Sequence, residues 1–357
     1  MREVHVGENE AGQRLDKLLG KLLKEAPKSF CYKMLRKKNI TLNDKKADGS
    51  ERLSQGDVVK LYLAEETYLK MTGEGSIPEM QSQKESGFET QTKDSGKGRK
   101  GAEDLLQQLP IEVLYEDDHM MLLNKPAGVL SQKARPEDVS AVEWLIAHEL
   151  VCGRATEDSL RTFRPGVCNR LDRNTSGILI AGVSLAGLQT MSAMLKDRTM
   201  HKYYLCLVKG KVAKKRRISG YLTKDQSANQ VKITKQPVNG QSQQIETEYE
   251  PVAGNDKVTL LKVLLITGRS HQIRAHLASE GHPLIGDPRY GSQKVNRYYE
   301  KQYGLHTQLL HSYRLELPVL EGKLAYLSGQ VFEAELPSAF QKVLKGEGLW
   351  QHGKPEG

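Results

Sequence analysis

The stretch from Cys168 to Gly182, CNRLDRNTSGILIAG, constrains the fold more than any other. Its turn cluster Asn174-Thr175-Ser176-Gly177 runs straight into an apolar series from Ile178 to Val183. A turn bounded by such a series predicts a loop feeding a buried strand. Asp172 stands on that loop between Arg170 and Arg173. A rigid sheet can hold a reactive side chain open on a loop of this kind. Neighbouring guanidinium groups favour an ionised carboxylate, which suits a nucleophile or a charge stabiliser better than a proton donor. The residues alone leave a second reading open, in which Asp172 only makes surface ion pairs with its neighbours.

At 357 residues the chain exceeds one ordinary domain, so two are expected, one of them small. A formal charge of +9 and a pI near 9.1 point to an anionic partner, with nucleic acid ahead of an acidic membrane surface. No run of about eighteen apolar residues occurs, and the opening MREVHVGENE has no apolar core of a secretory signal. A cytoplasmic location without membrane association is expected. Cys31, Cys152, Cys168 and Cys206 are scattered without metal-ligand spacing, so neither a zinc site nor a disulfide framework is indicated.

Near the start, Leu15, Leu18, Leu19, Leu22 and Leu23 recur at helical spacing, predicting an amphipathic helix over 13–23. A second helix is predicted from Ser29, as cap, to Lys38, ending in Lys33, Arg36, Lys37 and Lys38. Short strands follow at Ile40–Leu42 and Asp57–Leu63. A solvated surface is the plain reading of such a basic helix. The segments RLDKLL, KKNITLND and LSQGDVV resemble the small α/β RNA-binding domain first seen in small-subunit ribosomal protein four, the alpha-L motif. That resemblance makes Arg14, Lys17, Lys33, Arg36, Lys37 and Lys38 the candidate RNA contacts. Such residues supply phosphate contacts that weaken as salt rises.

Residues 72–104, rich in Gly, Ser, Gln, Lys and Glu, bury too little apolar surface to offset chain entropy and are expected to form a disordered linker. Beyond it, Leu109–Glu116 and Met120–Leu123 read as two strands about a tight turn, leading into the Asn124-Lys125-Pro126-Ala127-Gly128 loop. Lys125 reads either as a phosphate contact or as an exposed loop lysine. Helices are predicted over 140–151 and 185–195, and strands over 201–210 and 258–267. In the second half, His271, His276 and His282 lie among Arg269 and Arg274, whose charges oppose a metal ion, so none is expected.

Three blocks carry a stronger resemblance. YEDDHMMLLNKPAGVLSQ, NRLDRNTSGILIAG and TGRSHQIRAHLASEGHPLIGDPRYG occur in this order and resemble the RluA family of RNA pseudouridine synthases, in particular members acting on 23S ribosomal RNA. The resemblance implies an α+β catalytic domain with a mixed, mostly antiparallel sheet flanked by helices. It implies a cofactor-free isomerisation in which a uridine base leaves its ribose, rotates and is rejoined through carbon. Asp172 matches the family's catalytic aspartate, Tyr204 its K-x-Y tyrosine, and Arg274 the arginine that pairs with the aspartate. Arg170 matches the residue that fills the space left by the flipped base. Ile273 is expected to give apolar cover, and Lys125, Arg269 and His271 to line the substrate site. Asn169 departs from the His common at its position, leaving its part in ordering the loop open.

The domains expected are therefore 1–71 for RNA binding, 72–104 as linker, 105–342 for catalysis and 343–357 as a flexible tail holding Trp350. A monomer acting on RNA is expected, ribosomal rather than transfer. Two other functions compete: an RNA-binding assembly factor without chemistry, and a carboxylate-dependent glycosidase or nuclease. The second would need another acid at a defined separation or acidic metal ligands, and the basic surroundings of these blocks offer neither.

Overall fold

The computed structural model describes residues 1–73, 95–225, 230–238, 240, 242–351 and 354–355. It divides into two compact units, Met1–Asp104 with Ile146–Pro165, and Leu105–Leu145 with Gly166–Gly357.

The first unit begins with strand β1 (Arg2–His5), helices α1 (Leu15–Leu22) and α2 (Lys28–Arg36), and strands β2 (Ile40–Leu42), β3 (Lys45–Lys46) and β4 (Val58–Leu61). Helix α3 (Glu65–Thr72) follows. The strands pair antiparallel in the order β1-β4-β2-β3. Leu15, Leu18, Leu19 and Leu22 of α1 are buried, the spacing of one helical face. Helix α2 starts at Lys28, ahead of the expected Ser29 cap, because Pro27 already fixes the extended entry.

Two boundaries read from the sequence are corrected. Residues 74–94 of the expected linker lie outside the described residues, but its end is helical: α4 spans Ser95–Gln108. Ala102 to Gln108 are good helix formers, and Leu106 packs on the core of the second unit, a local signal that the polar composition upstream obscured. The segment Ile146–Pro165, expected in the catalytic domain, clusters with the first unit instead.

The second unit is built on a sheet of eleven strands. In chain order come β5 (Glu112–Glu116), β6 (Met120–Lys125), α5 (Ala141–Val151), α6 (Ser159–Thr162), β7 (Gly166–Val167), β8 (Ser176–Gly182) and α7 (Leu185–Asp197). Helix α5 runs from this unit into the segment of the first unit that also holds α6. Strands β9 (His201–Lys209), β10 (Arg216–Asp225), β11 (Gln230–Thr234), β12 (Gln243–Gly254) and β13 (Val258–Leu265) follow. The chain continues through α8 (Gln272–Ser279), α9 (Gln293–Tyr303), β14 (Leu310–Glu316), β15 (Val331–Glu333) and α10 (Ser338–Gly346).

The strand order is β11-β10-β12-β13-β9-β14-β8-β6-β5, with β15 beside β14 and β7 beside β8. All pairs are antiparallel except β14 with β8, where His311 lies opposite Ser176. Every residue of β8 is buried, as the apolar run requires of a strand covered on both faces. Gly177 has φ 103°, and a Cβ there would collide with the Ser312 carbonyl. Only glycine lets β8 begin this close to β14.

The tail expected from residue 343 is also corrected. Val343, Leu344 and Leu349 are buried in one cluster with Phe340 and Tyr299, and Trp350 packs against it. Helix α10 buries Phe340, Val343 and Leu344 on one face, in the cluster that also holds Tyr299 of α9.

Candidate active site

The loop before β8 is held by the backbone of its neighbours. Asn169 Oδ1 accepts the Ile180 N–H at 2.8 Å, so the residue that departs from the family pattern still ties the loop to β8. Ser131, buried, accepts the Leu171 N–H at 3.0 Å and donates to the Leu171 carbonyl at 2.9 Å. Asp172 is fixed in a turn by the Thr175 N–H on its carbonyl, 3.0 Å. At the strand entry Ser176 Oγ lies 2.9 Å from His311 Nδ1, while His311 Nε2 lies 3.2 Å from the Ala334 carbonyl. A carbonyl only accepts, so the ring proton sits on Nε2 and Ser176 donates to Nδ1. Burial pushes this histidine down to about 4, keeping it neutral.

Lys125 is fully buried, which corrects its reading as a phosphate contact. Its Nζ donates to the carbonyls of Pro126 (2.9 Å), Val129 (2.8 Å) and Arg173 (3.1 Å). Burial lowers its pKa to about 7 against the pull of Asp172. Three carbonyl acceptors require three N–H donors, however, and only the ammonium has them. Lys125 thus staples the 126–129 loop to the Asp172 loop. The Gly128 N–H on the Arg173 carbonyl and the Arg173 Nε on the Gly128 carbonyl, both 2.9 Å, close the same joint.

Helix α8 brings in Arg274. The turn ahead of it is set by Gln272, whose Oε1 accepts from Thr267 Oγ1 (2.8 Å) and the Arg269 N–H (3.1 Å). Its Nε2 donates to the Glu246 carbonyl (2.9 Å) and Thr247 Oγ1 (3.0 Å). His271, with φ 55°, makes the left-handed corner. Arg274 reaches Asp287 through Nε (2.7 Å) and one terminal nitrogen (2.9 Å), and Asp172 Oδ2 through the other (2.8 Å). Burial opposes the guanidinium charge, but Asp287 and Asp172 outweigh it and raise the pKa. Asp287, fully buried, is penalised by the same burial yet held below its ordinary value by Arg274. Oδ1 of Asp172 is left unengaged by the guanidinium, with His271 Nε2 at 4.0 Å. Burial, reinforced by Arg274, lowers the pKa of His271 despite Asp172. Its Nδ1 meets the Tyr290 hydroxyl at 3.0 Å.

Asp172, His271 and Arg274 line a cavity of about 1100 Å³ that also takes in Arg170, Lys202, Tyr204, Arg269 and Arg289. Tyr204 is pushed up to about 12, chiefly by burial, so its phenol stays neutral at physiological pH. Asp172 is the only acid in the lining among the described residues. Ile273 does not line the cavity. It is 4% exposed and packs in the central core, since the residue before Arg274 on a helix points away from it. Apolar cover comes from Leu130, Leu195, Met200 and Leu265. In the first unit Lys17, Lys33, Arg36, Lys37 and Lys38 are exposed, whereas Arg14 is already paired with Asp16 at 3.0 Å. Asp287 and Ser131 are functional candidates that sequence reasoning missed. Asp287 stood in the quoted GDPRYG block without a role, and Ser131 carried no signal beyond closing the first block.

A mixed sheet, a pinned aspartate and a cation-lined cavity define an enzyme that handles a polyanion around one carboxylate. Residues 119–279 match the family model described as RNA pseudouridylate synthase, and residues 13–59 match the S4 domain. The chain is 32% identical over 310 residues to ribosomal large subunit pseudouridine synthase C of Vibrio vulnificus, covering 87% of this chain and 86% of that one. With the protein of the same name from Escherichia coli it shares 29% over 315 residues, 88% and 87% of the two chains. The solved structure of human RNA pseudouridylate synthase domain containing 4 superposes with a TM-score of 0.53 at 19% identity, over 70% of this chain and 96% of that one, and shows the same fold. The chain belongs to the RluA family of RNA pseudouridine synthases, isomerases that act on RNA, and carries an S4 domain. No helix among the described residues is long and apolar enough to cross a membrane.

Proposed function

We propose that this enzyme isomerises specific uridines of large-subunit (23S) ribosomal RNA, and that Asp172 carries the chemistry. The observation behind the second part is the Asp287–Arg274–Asp172 chain, which holds one carboxylate through Oδ2 and leaves its Oδ1 free of the guanidinium in a basic cavity. The substrate is drawn from the relatives, which are named for the large ribosomal subunit.

The target base is extruded at a cost of a few kcal/mol, and Arg170, exposed on the cavity wall, fills the space it leaves. Tyr204 stacks on or donates to the flipped ring as a neutral phenol. Arg274 holds Asp172 while the bond between N1 and the ribose breaks, the base turns, and a bond from C5 forms. The proton displaced from C5 is replaced by one gained at nitrogen, so the product is an isomer. Arg269 and His271 line the substrate site, and Lys17, Lys33, Arg36, Lys37 and Lys38, with Arg14 once released from Asp16, contact RNA phosphates. The protein works as a cytoplasmic monomer and needs no cofactor.

The test is carbodiimide mapping of pseudouridine in ribosomal and transfer RNA from cells lacking the gene, complemented with intact protein or Asp172→Asn. Restoration of particular large-subunit positions by the intact protein alone is expected. Restoration by Asp172→Asn would remove the aspartate from the mechanism, and changes confined to transfer RNA would reassign the substrate.

A further inference from the structure

Strand β9 sends two alternate side chains into the cavity. Lys202 and Tyr204 are two residues apart and so project from one face of the strand, and both line the cavity. Tyr204 has a part in the proposed chemistry. Lys202 has none.

Its surroundings are unusual for a lysine. Nζ lies 3.5 Å from where a Cβ on Gly268 would stand, placing the ammonium against the 268–270 turn that also carries Arg269. No hydrogen bond or ion pair holds it among the described residues. The one acid in the lining among the described residues, Asp172, pairs through Oδ2 with Arg274 and not with Lys202. Burial lowers the pKa of Lys202.

Lys202 is half-buried; a cation partly withdrawn from water without a counter-charge is costly, and local rules are broken where function needs it. Lys125 makes the contrast plain, since every one of its N–H groups is used. We propose that Lys202 is a phosphate subsite, which takes one phosphodiester of the RNA next to the target nucleotide and so fixes the register of the strand over Asp172. An RNA chain offers one anion per nucleotide, whereas uracil offers only neutral carbonyls. An ammonium without a partner gains most from the anion, and lysine binds phosphate as a point charge. The subsite rests on the target uridine lying at Asp172, as proposed above.

The test uses the full-length protein and short RNAs around one mapped target uridine, each carrying a neutral methylphosphonate at one linkage near it. Binding is read with Asp172→Asn protein, so that it is scored without turnover. Lys202→Met is expected to weaken binding roughly tenfold to a hundredfold, with the loss in the active enzyme carried mainly by KM, and to reduce the slope of log Kd against log salt by about one phosphate. Lys202→Arg is expected to recover most of the affinity. One methylphosphonate position should cost the lysine protein the same factor and cost Lys202→Met nothing more. The proposal is overturned if no position couples to Lys202, if the salt slope stays unchanged, or if affinity falls only together with the melting temperature and arginine does not restore it. Because coupling is read from binding, a failure of Asp172 to matter for turnover would sink the proposed chemistry separately.

Discussion

The guanidinium of Arg274 is divided between two carboxylates, and the division has consequences for both. Asp287 takes two nitrogens from the fully buried side and leaves one for Asp172. In Asp287→Asn the neutral amide cannot accept both bonds, so a buried cation loses half its compensation. Breaking a buried pair costs about 3–5 kcal/mol. We expect a markedly lower melting temperature and a single-turnover rate reduced roughly a hundredfold; an unchanged rate would separate Asp287 from the aim of Asp172. His311 gives a pH signature. Its ordinary value near 6.5 falls to about 4 in the fold, so the unfolded chain binds more protons between those values. Its contribution to stability is complete above about pH 6.5 and lost as pH falls toward 4, a difference on the order of 3 kcal/mol. His311→Gln should flatten that part of the melting-temperature profile relative to the parent. Asp172 and Arg274 were singled out by the blocks that hold them and Tyr204 by its K-x-Y motif, and the fold brings all three to one cavity. Ser131 and His311 were not, because their partners Leu171 and Ser176 lie far along the chain and only the fold brings them together; Asp287 shares a block with Arg274, but no local pattern shows that the turn between them closes a buried pair.

The loop that carries Asp172 is an assembly of backbone carbonyls around one lysine. Replacing Lys125 with Met keeps the stem but strips donors from three carbonyls, and each buried unsatisfied group costs about 1–3 kcal/mol. The expected outcome is a loss of stability and of catalytic rate with no change in the salt dependence of RNA binding. A reduced salt slope would return Lys125 to the phosphate-binding role it was first given. Sequence periodicity located the hairpin of β5 and β6, helix α7 and strands β9 and β13, since alternation and apolar runs mark such elements. It missed α3, α9 and α10. Helix α9, QKVNRYYEKQY, has one narrow buried stripe headed by Tyr299, and that pattern becomes visible only once the covering surface is known. The Lys125 loop shows the same limit: a Pro-Ala-Gly turn signals where the chain bends but not which side chain it wraps.

Across the whole molecule the charge of +9 is spread over both units, and its two parts should answer differently to salt. The S4 domain presents Lys33, Arg36, Lys37 and Lys38 at the exposed end of α2. Replacing all four with Ala should lower affinity for long ribosomal transcripts, reduce the salt slope by two to four phosphates, and leave turnover of a short target stem-loop nearly unaffected. Equal losses on both RNAs would deny the domain its role as a separate grip. The presence of two units was legible from length and from the change to polar composition after residue 72. Their membership was not, because Ile146–Pro165 joins the first unit through packing that no local pattern announces. The cavity around Asp172, about 1100 Å³, lies above the roughly 300–1,000 Å³ typical of sites for one small molecule. A lone uridine nucleotide would sit there loosely, without the chain on either side to hold its sugar against the carboxylate. Free uridine nucleotides are therefore expected to turn over far more slowly than the same uridine within an RNA chain, and equal rates for the two would deny the flanking chain any part in positioning the base.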